Sequence, residues 1–178
     1  MLTKKKGLIV MRTERIGIPA PLFAGLFDAP EEELDEEDEE FDLPEDMTEP
    51  GEPEKSEMMM EGRLVCTSER AELIWEESEL TGMEGATSKI GFAHRYPELV
   101  SMLRSGSVDT ALVFEPRRRH VCVYNTPFSA FEVCVQGIAV ENTLLENGKL
   151  HLDYLIEIRG NRTERCRMWI EFRESAQA

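Results

Sequence analysis

The sequence predicts an all-β fold, an antiparallel up-and-down barrel of eight to ten strands behind an acidic N-terminal extension, and three observations lead there. From Glu61 onward apolar and polar residues alternate with period two, as in strands with one covered face. Glycine, proline and asparagine punctuate those runs at short intervals. Charge is split: residues 1–60 hold six Lys/Arg against eighteen Asp/Glu, net −12, and residues 61–178 fourteen against eighteen, net −4.

In order, the runs cover 62–68, 71–80, 86–93, 98–104, 107–114, 119–126, 129–140, 149–159 and 162–173. Alternation is cleanest near the end. Leu150, Leu152, Tyr154, Ile156 and Ile158 share one face against His151, Asp153, Glu157 and Arg159. Cys166, Met168, Ile170 and Phe172 repeat it against Arg165, Arg167, Trp169 and Glu171. Gly160-Asn161 is a two-residue hairpin turn, and Asn147-Gly148 has the same character. Ser105-Gly106, Glu115-Pro-Arg117 and Thr126-Pro127 separate other runs; Pro97 to Arg104 also fits a turn or two of helix. Barrel closure removes the exposed edges that invite aggregation, which favours a barrel over a two-sheet sandwich.

Residues 1–60 read as a mostly disordered extension, 61–174 as the barrel, and 175–178 as a disordered C-terminus. The block Glu31–Glu40 repels itself and contains a single leucine, so it cannot offset its ordering entropy. Upstream, the pairs Leu22-Phe23 and Leu26-Phe27 recur at i, i+4, a spacing suited to docking one helical turn in a groove. Residues 16–42 are therefore the candidate contact for a basic protein partner. The apolar run Leu8–Met11 is shorter than a secretory core of roughly 7–15 residues or a membrane span. A cytoplasmic location is expected, and Met58-Met59-Met60 offers an alternative start directly before the barrel.

Cys66, Cys122, Cys134 and Cys166 form no Cys-x-x-Cys pair and sit in strand-like runs, which reads as small buried thiols in a reducing compartment. Three histidines, His94, His120 and His151, share no ligand spacing, so neither metal nor cofactor is expected. The near-balanced barrel lacks the basic footprint of nucleic-acid binding, and the acidic chain would be repelled by anionic membranes.

Several motifs carry a resemblance. Trp75-Glu-Glu-Ser-Glu-Leu-Thr-Gly82 is followed by Gly85, Thr87 and Ser88, then by Arg104-Ser-Gly106, Phe114-Glu115, His120 and Tyr124-Asn-Thr-Pro-Phe128. Leu144-Leu145, Gly148 and Leu152-Asp-Tyr154 complete the series. In this order the motifs resemble the YwiB-like family of uncharacterised bacterial proteins, over roughly residues 61–173. The resemblance implies a lipocalin-like (calycin) barrel and a cytoplasmic bacterial setting, and no known activity. Ser129 stands where family members commonly have Gly, and the acidic extension lies outside the shared domain.

The candidate ligand-binding residues are Arg104, His120, Tyr124, Thr126, Trp75 and Tyr154. Arg104 is either a guanidinium fork in the barrel mouth or the partner of Glu76 or Glu98. His120, Cys122 and Tyr124 share a face and would line the interior together if that face points inward. Arg117-Arg-Arg119 and the stripe Arg162, Arg165, Arg167 and Arg173 are alternative docking faces for the acidic segment or for an anionic partner. No nucleophile elbow, P-loop or dinucleotide motif is present. A non-enzymatic barrel, with a small ligand inside it, is the favoured expectation; the alternative is an interaction module whose acidic arm works while the barrel serves as scaffold.

Overall fold

Closure of the sheet decides this architecture, and it is achieved by a strand that the alternation does not reveal. The structure is a computed structural model describing residues 2–18, 52–79, 83–126, 128–158 and 162–175. Among these, ten strands form: β1 (Thr3–Ile18), β2 (Glu54–Cys66), β3 (Arg70–Glu76), β4 (Thr87–Ala93), β5 (Tyr96–Ser105), β6 (Asp109–Phe114), β7 (Arg119–Asn125), β8 (Ala130–Thr143), β9 (Lys149–Ile158) and β10 (Arg162–Glu174). Each pairs antiparallel with its neighbour in sequence, and β1 pairs with β10 to close the barrel. One short helix, α1 (Leu144–Asn147), joins β8 to β9.

The expected all-β barrel is therefore present, with ten strands, and 98–104 lies within β5 rather than a helix. The boundary expected at residue 61 is corrected: residues 3–18 and 54–60 belong to the barrel. β1 escapes a period-two reading because Ile9, Val10 and Met11 are all buried, so the run is continuously apolar there. Farther along, Thr13 and Arg15 continue the inward row of Ile9 and Met11 as polar residues. Met58–Met60 lie inside β2 opposite Met11, Val10 and Ile9, so a chain starting at Met58 lacks the strand that bridges β10 and β2. Of the disorder expected for the extension, the part over 19–51 falls outside the described residues, as do most of the 16–42 segment and 176–178, whereas 54–60 form the start of β2.

Register fixes which side chains face inward. Gly7, Gly62, Trp75, Ser88, Arg104, Thr110 and Tyr124 form one continuous row of paired positions, and Tyr154, Cys166, Arg15 and Glu54 form another. Up-and-down winding sets the ends of odd strands and the starts of even strands at one end of the barrel. The opposite end is sealed by Phe92, Val100, Phe114, Leu144, Leu150 and Phe172, all buried. Gly148 ends α1 with φ +76°, and its N–H bonds to Leu144 O at 3.2 Å, so Asn147-Gly148 closes a helix rather than a two-residue turn.

Two predictions follow from closure. A β-carbon on Gly7 would overlap the Arg173 carbonyl oxygen and lie 2.8 Å from the Phe172 ring. Gly7→Ala should then cost about 1–3 kcal/mol in urea unfolding, since backbone cannot yield as a flexible side chain can. Deleting residues 2–18 should bare the long facing edges of β2 and β10. The shortened chain should elute as aggregate in size-exclusion chromatography, and a stable monomer would contradict the role given to β1.

Candidate functional site

The end of the barrel opposite the apolar seal is polar inside. Glu77, just beyond β3, is buried, with its side chain only 3 % exposed. It turns inward with Trp75, whereas Glu76 points outward and accepts a hydrogen bond from Thr87 at 2.9 Å. Trp75 Nε1–H donates to Glu77 Oε1 at 3.1 Å, and the Ser88 hydroxyl donates to the same oxygen. Arg104 Nε lies 3.6 Å from that oxygen, an ion-pair distance too long for a hydrogen bond. Arg104 thus pairs with Glu77 rather than with Glu76 or Glu98.

Two polar atoms in this half are buried with no hydrogen-bond partner: Arg104 Nε and Thr110 Oγ1. They belong to residues paired directly across β5 and β6. Behind them, Tyr154 packs its ring 4.7 Å from Phe114, centroid to centroid. Burial pushes the Tyr154 phenol far above its ordinary range, and the Cys166 charge adds to this; Arg15 and Arg104 oppose it. Burial likewise raises the Cys166 thiol to about 11.

Burial of the inward residues differs between the two halves. Met58, Tyr124 and Ile156 are inward residues near the strand ends at this rim, yet they are only half-buried. Inward rows near the other end show no such exposure: Val100 and Phe114 are both 0 % exposed.

Of the six residues the sequence nominates, Trp75, Arg104, Tyr124 and Tyr154 face this interior. Tyr124 directs its hydroxyl at Met83 Sδ, 3.9 Å away. His120 does not join them: it starts β7 at the sealed end, and its Nε2 lies 3.1 Å from Glu115 Oε2. Thr126 stands on the rim with its hydroxyl committed to a turn, donating to Ser129 O at 2.9 Å and accepting from the Phe128 and Ser129 amides. Sequence reasoning missed Arg15, Glu77, Ser88, Thr110 and Cys166. Ser88 left a signal, as one polar residue in the row Ala86, Ile90 and Phe92. Arg15 left none, because its strand went unread.

The outer wall carries a concavity, about 580 Å³, between β8, β9, β10 and β1. Its feature is His151 stacked on Trp169, centroids 5.0 Å apart and planes 7° from parallel. Its charged groups are matched on the surface, as in Arg12–Glu57 at 2.6 Å and Arg173–Glu171 at 3.0 Å, so the interior is the stronger candidate.

The arginine stripe is matched too. Arg165 clamps Asp153 through two bonds of 3.0 and 2.7 Å, and Arg167 reaches Glu14 at 3.2 Å. Arg118 pairs with Glu115 and Arg119 with Glu157, at 3.6 and 3.5 Å. The side chain of Arg162 lies outside the described residues.

The fold and site together define, among the described residues, a ten-stranded barrel whose interior is apolar at one end and holds a buried polar cluster at the other. Residues 43–170 match the family described as a domain of unknown function, DUF1934, and the chain belongs to that family. Among solved structures, the crystal structure of the YwiB protein from Bacillus subtilis shares the fold, with a TM-score of 0.58 at 13 % identity. That likeness covers 94 % of this chain and 93 % of the other. No curated protein is similar. The YwiB-like resemblance read from the motifs is borne out, and β1 lies outside the matched residues.

Two outcomes test the site's energetics. Glu77→Ala strands the Arg104 charge inside the barrel and should destabilise by about 3 kcal/mol, whereas the double variant Glu77→Leu with Arg104→Met should recover most of the loss. Urea unfolding of the three proteins checks this. The Cys166 thiol holds its proton more tightly folded than unfolded, so its contribution is complete below the ordinary value of 9.0 and vanishes as pH rises toward about 11. Stability should fall across that window, and less steeply in Cys166→Ala; parallel curves would contradict the burial of this thiol.

Proposed function

We propose that this protein is a cytoplasmic barrel that binds a small molecule in its polar half without transforming it. One observation carries the reading: the inward side chains at one end include a buried polar cluster, Glu77, Ser88, Arg104 and Thr110, in which Arg104 Nε and Thr110 Oγ1 have no hydrogen-bond partner, while the other end is packed with apolar side chains. A barrel built only as a rigid handle has no use for a buried Glu77–Arg104 pair, which costs desolvation that apolar packing avoids. The chemistry of the thiols supports binding over catalysis. Burial raises Cys122 and Cys166, which suppresses the thiolate a nucleophile needs. His120, the nearest base in strand order, is engaged by Glu115 instead. Four free cysteines suit a reducing compartment, and no described helix is long and apolar enough to cross a membrane.

A second reading keeps the acidic segment at work. Residues 19–53 carry fifteen Asp/Glu and no Lys/Arg, and they join β1 to β2 rather than trailing from the barrel. Arg12, Arg165, Arg167 and Arg173 already have carboxylate partners on the barrel wall, which favours a separate basic protein as the complement of this segment.

A native mass spectrum of the full chain, purified without detergent, tests the first reading against a denatured spectrum of the same sample. An extra mass lost on denaturation is the expected result. An unliganded mass that persists after incubation with fatty acids, haem and nucleotides would remove the binding reading and move attention to the acidic segment.

A further inference from the structure

The outer wall of the barrel is laced with charge on one side and bare of it on the other. Around β1, β2, β9 and β10 outward side chains are ion-paired, as in Arg12 with Glu57 and Arg167 with Glu14. Across the barrel, the outward positions of β5 to β8 carry two uncharged rows. One joins Leu103 to Ala111 and, along the register set by Asp109–Asn125, leads on to Val123. The next joins Ser101 to Val113 and leads on to Val121, whose partner on β8 is Cys134. Val121 is 66 % exposed and Val123 51 %. Single exposed apolar residues are ordinary, whereas a contiguous island of them marks a contact.

Charges stop at the border of this island and are already engaged there. Lys89 meets Glu72 at 3.5 Å, and Arg119 meets Glu157 at 3.5 Å while donating to Cys134 Sγ at 3.1 Å. Glu132 has a partner of its own. A strongly charged partner would therefore find nothing on the island to recognise. At its centre, β6 and β7 are paired only at Asp109–Asn125 and Thr110–Tyr124, so little ladder protects the backbone between Val113 and Val121.

Symmetry and charge point to the occupant. A two-fold contact sets a patch against itself, so any charge near the axis meets its own like charge; an uncharged patch escapes that penalty. The net charge of −16 opposes self-association, and residues 19–53 supply nearly all of it, with fifteen Asp/Glu and no Lys/Arg. That segment leaves the barrel at Ile18 and rejoins it at Glu54. β6 stands five places from β1 in either direction around the ring. Two copies joined over β6 and β7 thus keep the attachment points of their acidic segments on opposite, outer sides of the pair.

We propose that the outer wall over β5–β8 is a self-association face, on which two copies pack with Val121 and Val123 beside a two-fold axis. The island is four strands wide, about 15 Å, and barrel walls are convex, so the contact buries less than about 1,200 Å² in total. Such a dimer is reversible, with a Kd on the order of 10 μM. It uses the outside of the barrel and is independent of the binding reading above.

Sedimentation equilibrium of the full chain from about 2 to about 200 μM should show the mass rising from one chain toward two. Val121→Glu opposes two carboxylates near the axis and should weaken the dimer by about tenfold or more. Because Val121 is exposed, urea unfolding of this variant at low concentration should match the parent. Met59→Glu adds the same charge on β2, where Met59 is also 66 % exposed, and should leave association unchanged. NaCl at about 0.5 M should tighten the dimer, since it screens the acidic segments and spares apolar contact. Amides of β7 that face β6 should exchange more slowly in concentrated than in dilute protein. A single-chain mass throughout, a dimer indifferent to Val121→Glu, or one dissolved by salt overturns the proposal. Slow exchange at both concentrations in a single-chain species would assign the island to another segment of the same chain, and overturns it as well.

Discussion

The pairing of β1 with both β10 and β2 is the constraint on which the rest depends. Without it the sheet is an open ribbon with two long edges; with it every strand has two neighbours and the interior is enclosed. Closure also explains two close approaches at its seam. Gly7 lies against the Phe172 ring and Gly62 against the Ile9 side chain, where any β-carbon would displace its neighbour. Ile9 and Phe172, paired across the β1–β10 seam, then fill the space these glycines leave.

Within the closed wall, the two halves solve different problems. The sealed half is a packed apolar core, where Phe92, Phe114 and Phe172 meet Leu144 and Leu150 at negligible exposure. In the other half a carboxylate and a guanidinium share the interior, and neither can lie there alone because an unpaired buried charge costs several kcal/mol, on the order of 3–5. Trp75 and Ser88 spend their donors on Glu77, whose same carboxylate oxygen lies 3.6 Å from Arg104 Nε. Outside, the same economy of charge neutralises the wall: Asp153, itself buried, is held by Arg165 and approached by Arg167.

Nine of the ten strands were readable because each has one covered and one wet face, so period two is printed in residues such as Leu150 to Ile156 and Cys166 to Phe172. β1 was not, since Val10 is buried on the outer face beside the inward Ile9 and Met11, and since Thr13 and Arg15 are polar on the inner face. The candidate site was readable to the same degree. Trp75, Arg104, Tyr124 and Tyr154 belong to recognisable motifs and do face one interior, whereas His120 and Thr126 share those motifs and serve a loop contact and a turn. A motif records that a residue is needed and not what its side chain touches.

By itself the sequence determined the strand count to within two, the all-β class and the family, because these depend on local alternation, composition and order along the chain. Tertiary structure alone decided that residues 3–18 close the barrel, that Glu77 rather than Glu76 meets Arg104, and that one end of the interior is apolar while the other holds a buried polar cluster. Those facts turn on register across strands far apart in sequence. A shift of one residue exchanges inside for outside along a whole strand, and no local pattern in β1 or at Glu76-Glu77 records which way that choice falls.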